Sequence, residues 1–282
     1  MTPSGFFMMK SKQPIGIFDS GVGGLTVAQA VKKILPKESI IYFGDTAHLP
    51  YGDKSTAAIQ AYSVRIADFL LKRNCKVILI ACNSASSAAF DLVVEFVGKK
   101  AKVFDVINPT IDFIRENHEN DHVGLIGTKQ TVTSGVYAEK IAALRLGIEL
   151  KALATPLLVP MIEEGFHADD ISLSIIKKYL EDKRLDKINS LILGCTHYPI
   201  IKEQIAGYYR STAQDVEVID SAETVAKALQ AYLGSFQLLS KSEREPDQFF
   251  VSDFTPAFES TTKMFFGQKV HLERLPIWDE FH

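Results

Sequence analysis

The sequence predicts an α/β protein with mostly parallel sheets, built as two pseudo-symmetric α/β domains that face one another across a cleft. Three observations carry this. First, short β-rich runs alternate with helical segments along most of the chain, the pattern of repeated βαβ units with helices on both sheet faces. Second, runs such as Val77-Ile-Leu-Ile80 and Leu191-Ile-Leu193 are continuously apolar rather than alternating, which fits strands covered on both sides. Third, there is a weak internal repeat. Val77–Ala81 leads into Cys82-Asn83-Ser84, and Leu191–Gly194 leads into Cys195-Thr196-His197. Upstream of these, Gly16-Ile-Phe-Asp19-Ser20 resembles Gly124-Leu-Ile-Gly127-Thr128 in type and at similar spacing.

The elements follow in order. Ile15–Phe18 is the first strand, and a helix from Leu25 to Leu35 stops at Pro36. Ile40–Phe43 is the next strand. A helix then runs from about Ser55, its N-cap, to Arg73, with Asn74 at its C-terminus. Val77–Ile80 precedes a helix from about Ser86 to Val97 that ends at Gly98, and Val103–Ile107 reads as a strand. In the second half, Val123–Ile126 is a strand, a helix near Gly135–Leu146 ends at Gly147, and Leu150–Ala154 is a weaker strand. A helix over Asp170–Glu181, the strand Leu191–Leu193 and the strand Val216–Ile219 come next. Asp220 with Glu223 forms a capping-box pattern for the helix after it. Phe249–Val251, a helix over Pro256–Phe266 and Val270–Leu275 close the chain.

Composition narrows the function. With 31 Lys+Arg against 34 Asp+Glu the net charge is −3, which disfavours a dedicated nucleic-acid binder. Three cysteines without a C-x-x-C pair form neither a disulfide framework nor a structural zinc site, and suit a reducing cytosol. The histidines lack ligand-like spacing, so no metal is expected. Phe6–Met9 is too short for a signal peptide core, and no segment approaches the ~20 apolar residues of a membrane span.

Asp19-Ser-Gly-Val-Gly-Gly24 follows a strand and resembles a dinucleotide fingerprint, but Thr26 stands where the third glycine is required. What remains is a tight turn whose carboxylate, hydroxyl and helix N-terminal amides suit a small charged ligand. Gly44-Asp-Thr-Ala-His-Leu-Pro-Tyr-Gly52 reads equally as a surface connection or as a ligand loop at a strand's carboxyl end. A lone cysteine at a strand end is usually a small core residue. Two at matching positions of two half-repeats are another matter, because ligands bind at the carboxyl ends of parallel strands. A helix N-terminus beside each thiol is expected to lower its pKa. Two acid/base groups facing each other suit removal of a proton from one face of a carbon and its return to the other. Cys75 precedes its strand and is read as structural. Glu163-Glu164 form either a solvated face or a contribution to the cleft.

Taken together, FDSGVGGLTV, YFGDTAHLPYG, ACNSAS, GLIGT, LGCTHYP and VIDSAETVA, in order from Ile15 to Ala226, resemble the cofactor-independent glutamate racemases of bacterial cell-wall synthesis. One departure is Ser84, where the family usually has threonine; the hydroxyl is kept. The resemblance implies interconversion of L- and D-glutamate by two bases at Cα without a cofactor, supplying D-glutamate for peptidoglycan in the cytoplasm. It implies Cys82 and Cys195 as the acid/base pair, with Cys82 acting on D-glutamate and Cys195 on L-glutamate. Asp19, His197, Asp45 and Glu163 support them. Asp19, Ser20, Tyr51, Gly52, Asn83, Ser84, Thr196 and His197 bind substrate. It also implies a discontinuous first domain, residues 14–107 plus 216–282, a second domain over 108–215, and a tail over 1–13. A homodimer is compatible with the family. Some members restrain DNA gyrase, for which the charge pattern here gives no support. The competing readings are a racemase of aspartate or another acidic amino acid, and a non-catalytic two-domain amino-acid-binding protein.

Overall fold

The computed structural model describes residues 11–241 and 245–278. Most of the expected tail lies outside the described residues, as does part of the polar stretch Ser240–Gln248. The first half runs β1 (Ile15–Asp19), α1 (Leu25–Ile34), β2 (Ile40–Gly44), α2 (Thr56–Lys72), β3 (Val77–Ile80), α3 (Asn83–Val97), β4 (Lys102–Asp105) and α4 (Ile107–Asn117). The second half runs β5 (His122–Gly127), α5 (Lys129–Thr133), α6 (Val136–Leu144), β6 (Glu149–Ala154), α7 (Leu158–Glu163), α8 (Asp170–Leu180), β7 (Ser190–Gly194), α9 (Lys202–Ser211), β8 (Glu217–Asp220) and α10 (Ser221–Ser235). β9 (Gln248–Val251), α11 (Pro256–Phe266) and β10 (Glu273–Arg274) complete it.

The strands form two parallel sheets, ordered β10-β9-β2-β1-β3-β4 and β6-β5-β7-β8. The internal repeat of the sequence is thus a repeat of topology. The order β2-β1-β3-β4 recurs as β6-β5-β7-β8, and a helix follows β4 and β8 alike. The continuous apolar runs have the expected cause: both sheet faces are covered. Val77 and Leu79 face one apolar cluster while Ile78 and Ile80 face another. The first of these clusters continues through α1 and α10 into the second sheet, where Leu191 and Leu193 join it. α10 packs against both α1 and α4, so the helices that follow the two repeats cross at the junction of the sheets. No helix among the described residues is long and apolar enough to cross a membrane.

Three expectations are corrected. The segment from Val216 was placed with the first domain, but β8 hydrogen-bonds to β7, and the chain rejoins the first sheet only at β9, beside β2. Val103–Ile107 is a strand only to Asp105, because Asp105 accepts from the amides of Ile107 and Asn108 and starts α4 there. Of Val270–Leu275 only Glu273–Arg274 is a strand. Asp220 does cap α10, accepting from Ala222 N at 2.8 Å.

Candidate active site

β1 and β3 are neighbours in register, so Asp19 and Cys82 emerge side by side at the carboxyl edge of the first sheet. The Asp19 carboxylate bends back into its own turn and accepts from Gly24 N at 2.9 Å and Gly21 N at 3.1 Å. Burial pushes its carboxyl up, against the opposing pull of the His197 charge and of these amides. Its Oδ1 is buried without a partner. Cys82 is the N-cap of α3, which starts three residues earlier than the sequence suggested. The Cys82 thiol lies 3.6 Å from Ser20 Oγ and receives Ala85 N at 3.5 Å. The expected lowering of its pKa is overturned: burial first, then the Asp19 charge, push it up to about 12. One helix N-terminus does not offset the loss of water around a thiolate.

The second cysteine has a different neighbourhood. No α-helix opens at Cys195; a short 3₁₀ turn, Tyr198–Ile201, intervenes before α9. A side chain takes the place of the helix amides. Cys195 Sγ lies 3.7 Å from His197 Nδ1, and His197 Nε2 lies 2.8 Å from Glu163 Oε1. Burial alone would lower the imidazole's pKa, but its bonds to Cys195 and Glu163 carry it to about 10. A histidine held charged in this way contributes stability in full below its unfolded value of ~6.5, and loses it as pH rises toward 10. The melting temperature of the wild type is therefore expected to fall between pH 7 and pH 10 more steeply than that of His197→Asn. Parallel curves would show that the imidazolium is not held.

Both cysteines line one cavity of about 200 Å³. Ser20, Tyr51, Gly52, Asn83, Ser84, Glu163, Thr196 and His197 line it with them. Tyr137 Oη donates to Asn83 Oδ1 at 2.9 Å, which leaves Asn83 Nδ2 as a buried donor without a partner. Asp19 lies behind Ser20 and does not line the cavity; Asp45 does not line it either.

Sequence reasoning missed Thr128, Thr155, Lys129 and Asp53, which also line the cavity. Thr128 Oγ1 bonds Ser84 Oγ at 2.9 Å, joining the ends of β5 and β3 across the cleft. The repeat held the signal for it, since Thr128 follows Gly127 as Ser20 follows Asp19. Lys129 Nζ and Asp53 Oδ1, both exposed, meet 3.2 Å apart across the two sheets. Thr26, at the position that rules out a dinucleotide fingerprint, donates to the Thr196 carbonyl at 2.8 Å and ties α1 to the second cysteine loop. Cys75 is buried under Gly16, whose Cβ would stand 2.9 Å from its sulfur, at the opposite end of the strands from the cavity.

Comparison with known proteins identifies the family and the fold. The family model for Asp/Glu/hydantoin racemase matches residues 25–229. A glutamate racemase of Chlorobium phaeobacteroides is 41% identical over 255 residues, 90% of this chain and 92% of that protein. The crystal structure of the Francisella tularensis glutamate racemase in complex with D-glutamate superposes with a TM-score of 0.87 at 40% identity, covering 95% of this chain and 99% of that one. The Thermus thermophilus glutamate racemase in complex with β-chloro-D-alanine gives 0.83 at 39% identity, covering 94% and 98%.

Proposed function

The chain belongs to the Asp/Glu/hydantoin racemase family and is an isomerase of the glutamate racemase kind, and we propose that it interconverts L- and D-glutamate through Cys82 and Cys195, one on each face of Cα. The observation that carries this reading is the pair of thiols at corresponding strand ends of two repeated sheets, lining one cavity. In one direction the Cys195 thiolate takes the α-proton of L-glutamate and the Cys82 thiol donates its own proton to the opposite face. In the other direction the roles exchange.

The two halves prepare their thiols differently. Cys195 faces His197, whose imidazole is held charged by its bonds to Cys195 and Glu163. Cys82, buried and beside the Asp19 charge, is favoured as the neutral thiol. A buried atom without a partner fits the substrate: Asn83, which lines the cavity, has Nδ2 free to donate to a carboxylate. Ser20, the Tyr51–Gly52 backbone, Ser84, Thr128 and Thr196 complete the donors around the two carboxylates. Deprotonating a weakly acidic Cα–H demands such fixed donors and exclusion of water. The Asp53–Lys129 pair across the mouth suits closure over bound substrate. Thiol acid/base chemistry requires reduced cysteines, which supports the reading of a cytoplasmic enzyme that supplies D-glutamate to peptidoglycan synthesis.

The test is proton exchange. The protein is incubated with L-glutamate in deuterated water, with chelator and no added pyridoxal phosphate, and with L-aspartate in parallel. Deuterium at Cα together with D-glutamate is expected. Exchange confined to aspartate would move the substrate assignment. No exchange with either, from folded and reduced protein, would sink the racemase reading in favour of a binding protein.

A further inference from the structure

Asp45 is fully buried outside the cavity, yet it collects four donors from three stretches of chain. Tyr51 Oη donates to Oδ2 at 2.7 Å, and His48 Nδ1 lies 2.9 Å from the same oxygen. Ser252 Oγ donates to Oδ1 at 2.8 Å, and Trp278 Nε1 donates to it at 3.0 Å. Tyr51 and His48 belong to the loop after β2, whose residues Leu49–Asp53 line the cavity. Ser252 follows β9, and Trp278 lies beyond β10. Charge-assisted bonds of this kind fix their donors in place.

The indole adds packing to the hydrogen bond. It meets His48 edge-on with ring centroids 4.6 Å apart and Tyr62 at 5.4 Å, while Tyr62 stacks on His48 at 4.0 Å and leans on Tyr51 at 5.7 Å. The backbone that carries Trp278 is anchored at both ends. Leu275 N donates to the Val251 carbonyl at 2.8 Å, and Arg65 donates to the Ile277 carbonyl at 3.0 Å. A loop held only by its own short 3₁₀ turns would open readily; this one is tied to the far end of the chain.

We propose that Trp278 is a positioning residue for the reaction: the segment Leu275–Trp278 straps the substrate loop and, through Asp45, holds Tyr51 and Gly52 where the substrate carboxylate docks. The inference rests on the reading of the cleft as the glutamate site. Trp278 touches no reacting atom, so its loss acts on binding more than on proton transfer.

The chain contains one tryptophan, so its emission reports on this strap alone. Racemisation by the wild type is measured first; its absence would count against the glutamate reading and not against the strap. The active wild type is then titrated with DL-glutamate, whose composition does not drift during turnover. Emission is expected to shift and saturate near KM, and a merely structural indole would not respond. Trp278→Phe keeps an aromatic ring and removes the N–H. It is expected to raise KM about tenfold, the size of one lost charge-assisted hydrogen bond, with kcat within about twofold. Ser252→Ala, which removes the other donor to Oδ1 from the same side, is expected to raise KM in the same direction. Emission unmoved by saturating glutamate overturns the proposal, as does a Trp278→Phe KM equal to that of the wild type. If Trp278→Phe does not fold, the wild-type titration decides alone.

Discussion

Replacing Cys82 or Cys195 by serine is expected to abolish racemisation, with a loss of at least ~10³-fold, within the ~10²–10⁴ range that a positioned acid/base group supplies. A serine hydroxyl does not ionise near neutral pH, so the face that loses its thiol loses its base. The fold should survive both changes. Serine at position 82 remains an N-cap for α3, where Cys82 already receives Ala85 N at 3.5 Å. Because L- and D-glutamate have equal free energy in water, kcat/KM must fall equally in both directions, and racemisation alone cannot say which thiol serves which enantiomer. Elimination from 3-chloroglutamate can. There one thiolate takes the α-proton, the C–Cl bond breaks, chloride leaves and an unsaturated amino acid remains, so a single base suffices. Cys82→Ser should retain elimination from the L-configured analogue and Cys195→Ser from the D-configured one. If each variant acts on both configurations, or either still racemises at near the wild-type rate, the two-base assignment is wrong.

Gly23→Ala is expected to cost roughly 10²-fold in kcat without touching any residue that contacts the reacting carbon. An alanine Cβ at this position would collide with Cε1 and Nδ1 of His197 and stand 2.9 Å from Thr196 Oγ1. The imidazole cannot step aside at low cost. It is 5% exposed, pinned by Cys195 and Glu163, and edge-on to Phe265 at 5.1 Å. Overpacking of this kind destabilises by ~1–3 kcal/mol, and a misplacement of about 1 Å at a catalytic group costs on the order of 10²-fold. Activity and melting temperature measured on the same preparation check it. An alanine variant within twofold of wild type in kcat would mean that the ring is free to move and that Gly23 serves only its turn.

Most strands were legible because a strand buried on both faces writes itself as an unbroken apolar run. β1, β3, β5 and β7 each appear within two residues of where those runs lie. Four helices were not: α4, α5, α7 and α9, of which α5 is only five residues long. Pro109 in α4 and Pro160 in α7 look like breakers, yet each occupies the first turn, where the missing N–H has no intrahelical partner to lose. α9 is only weakly patterned and carries Gly207 in its interior.

By itself the sequence determined the strand–helix alternation, the repeat, and therefore the two cysteines at equivalent strand ends, since all of these are local patterns of residue type. Only the tertiary structure decided what depends on distant parts of the chain meeting. It set β8 beside β7. It gave Cys195 a histidine and a carboxylate in place of the helix amides that Cys82 receives. It turned Asp45 away from the cavity toward Ser252 and Trp278. It also made Gly23 a matter of contact with His197 rather than of backbone freedom. Local pattern records how a segment is buried; which side chain stands opposite another is settled only when the two sheets meet.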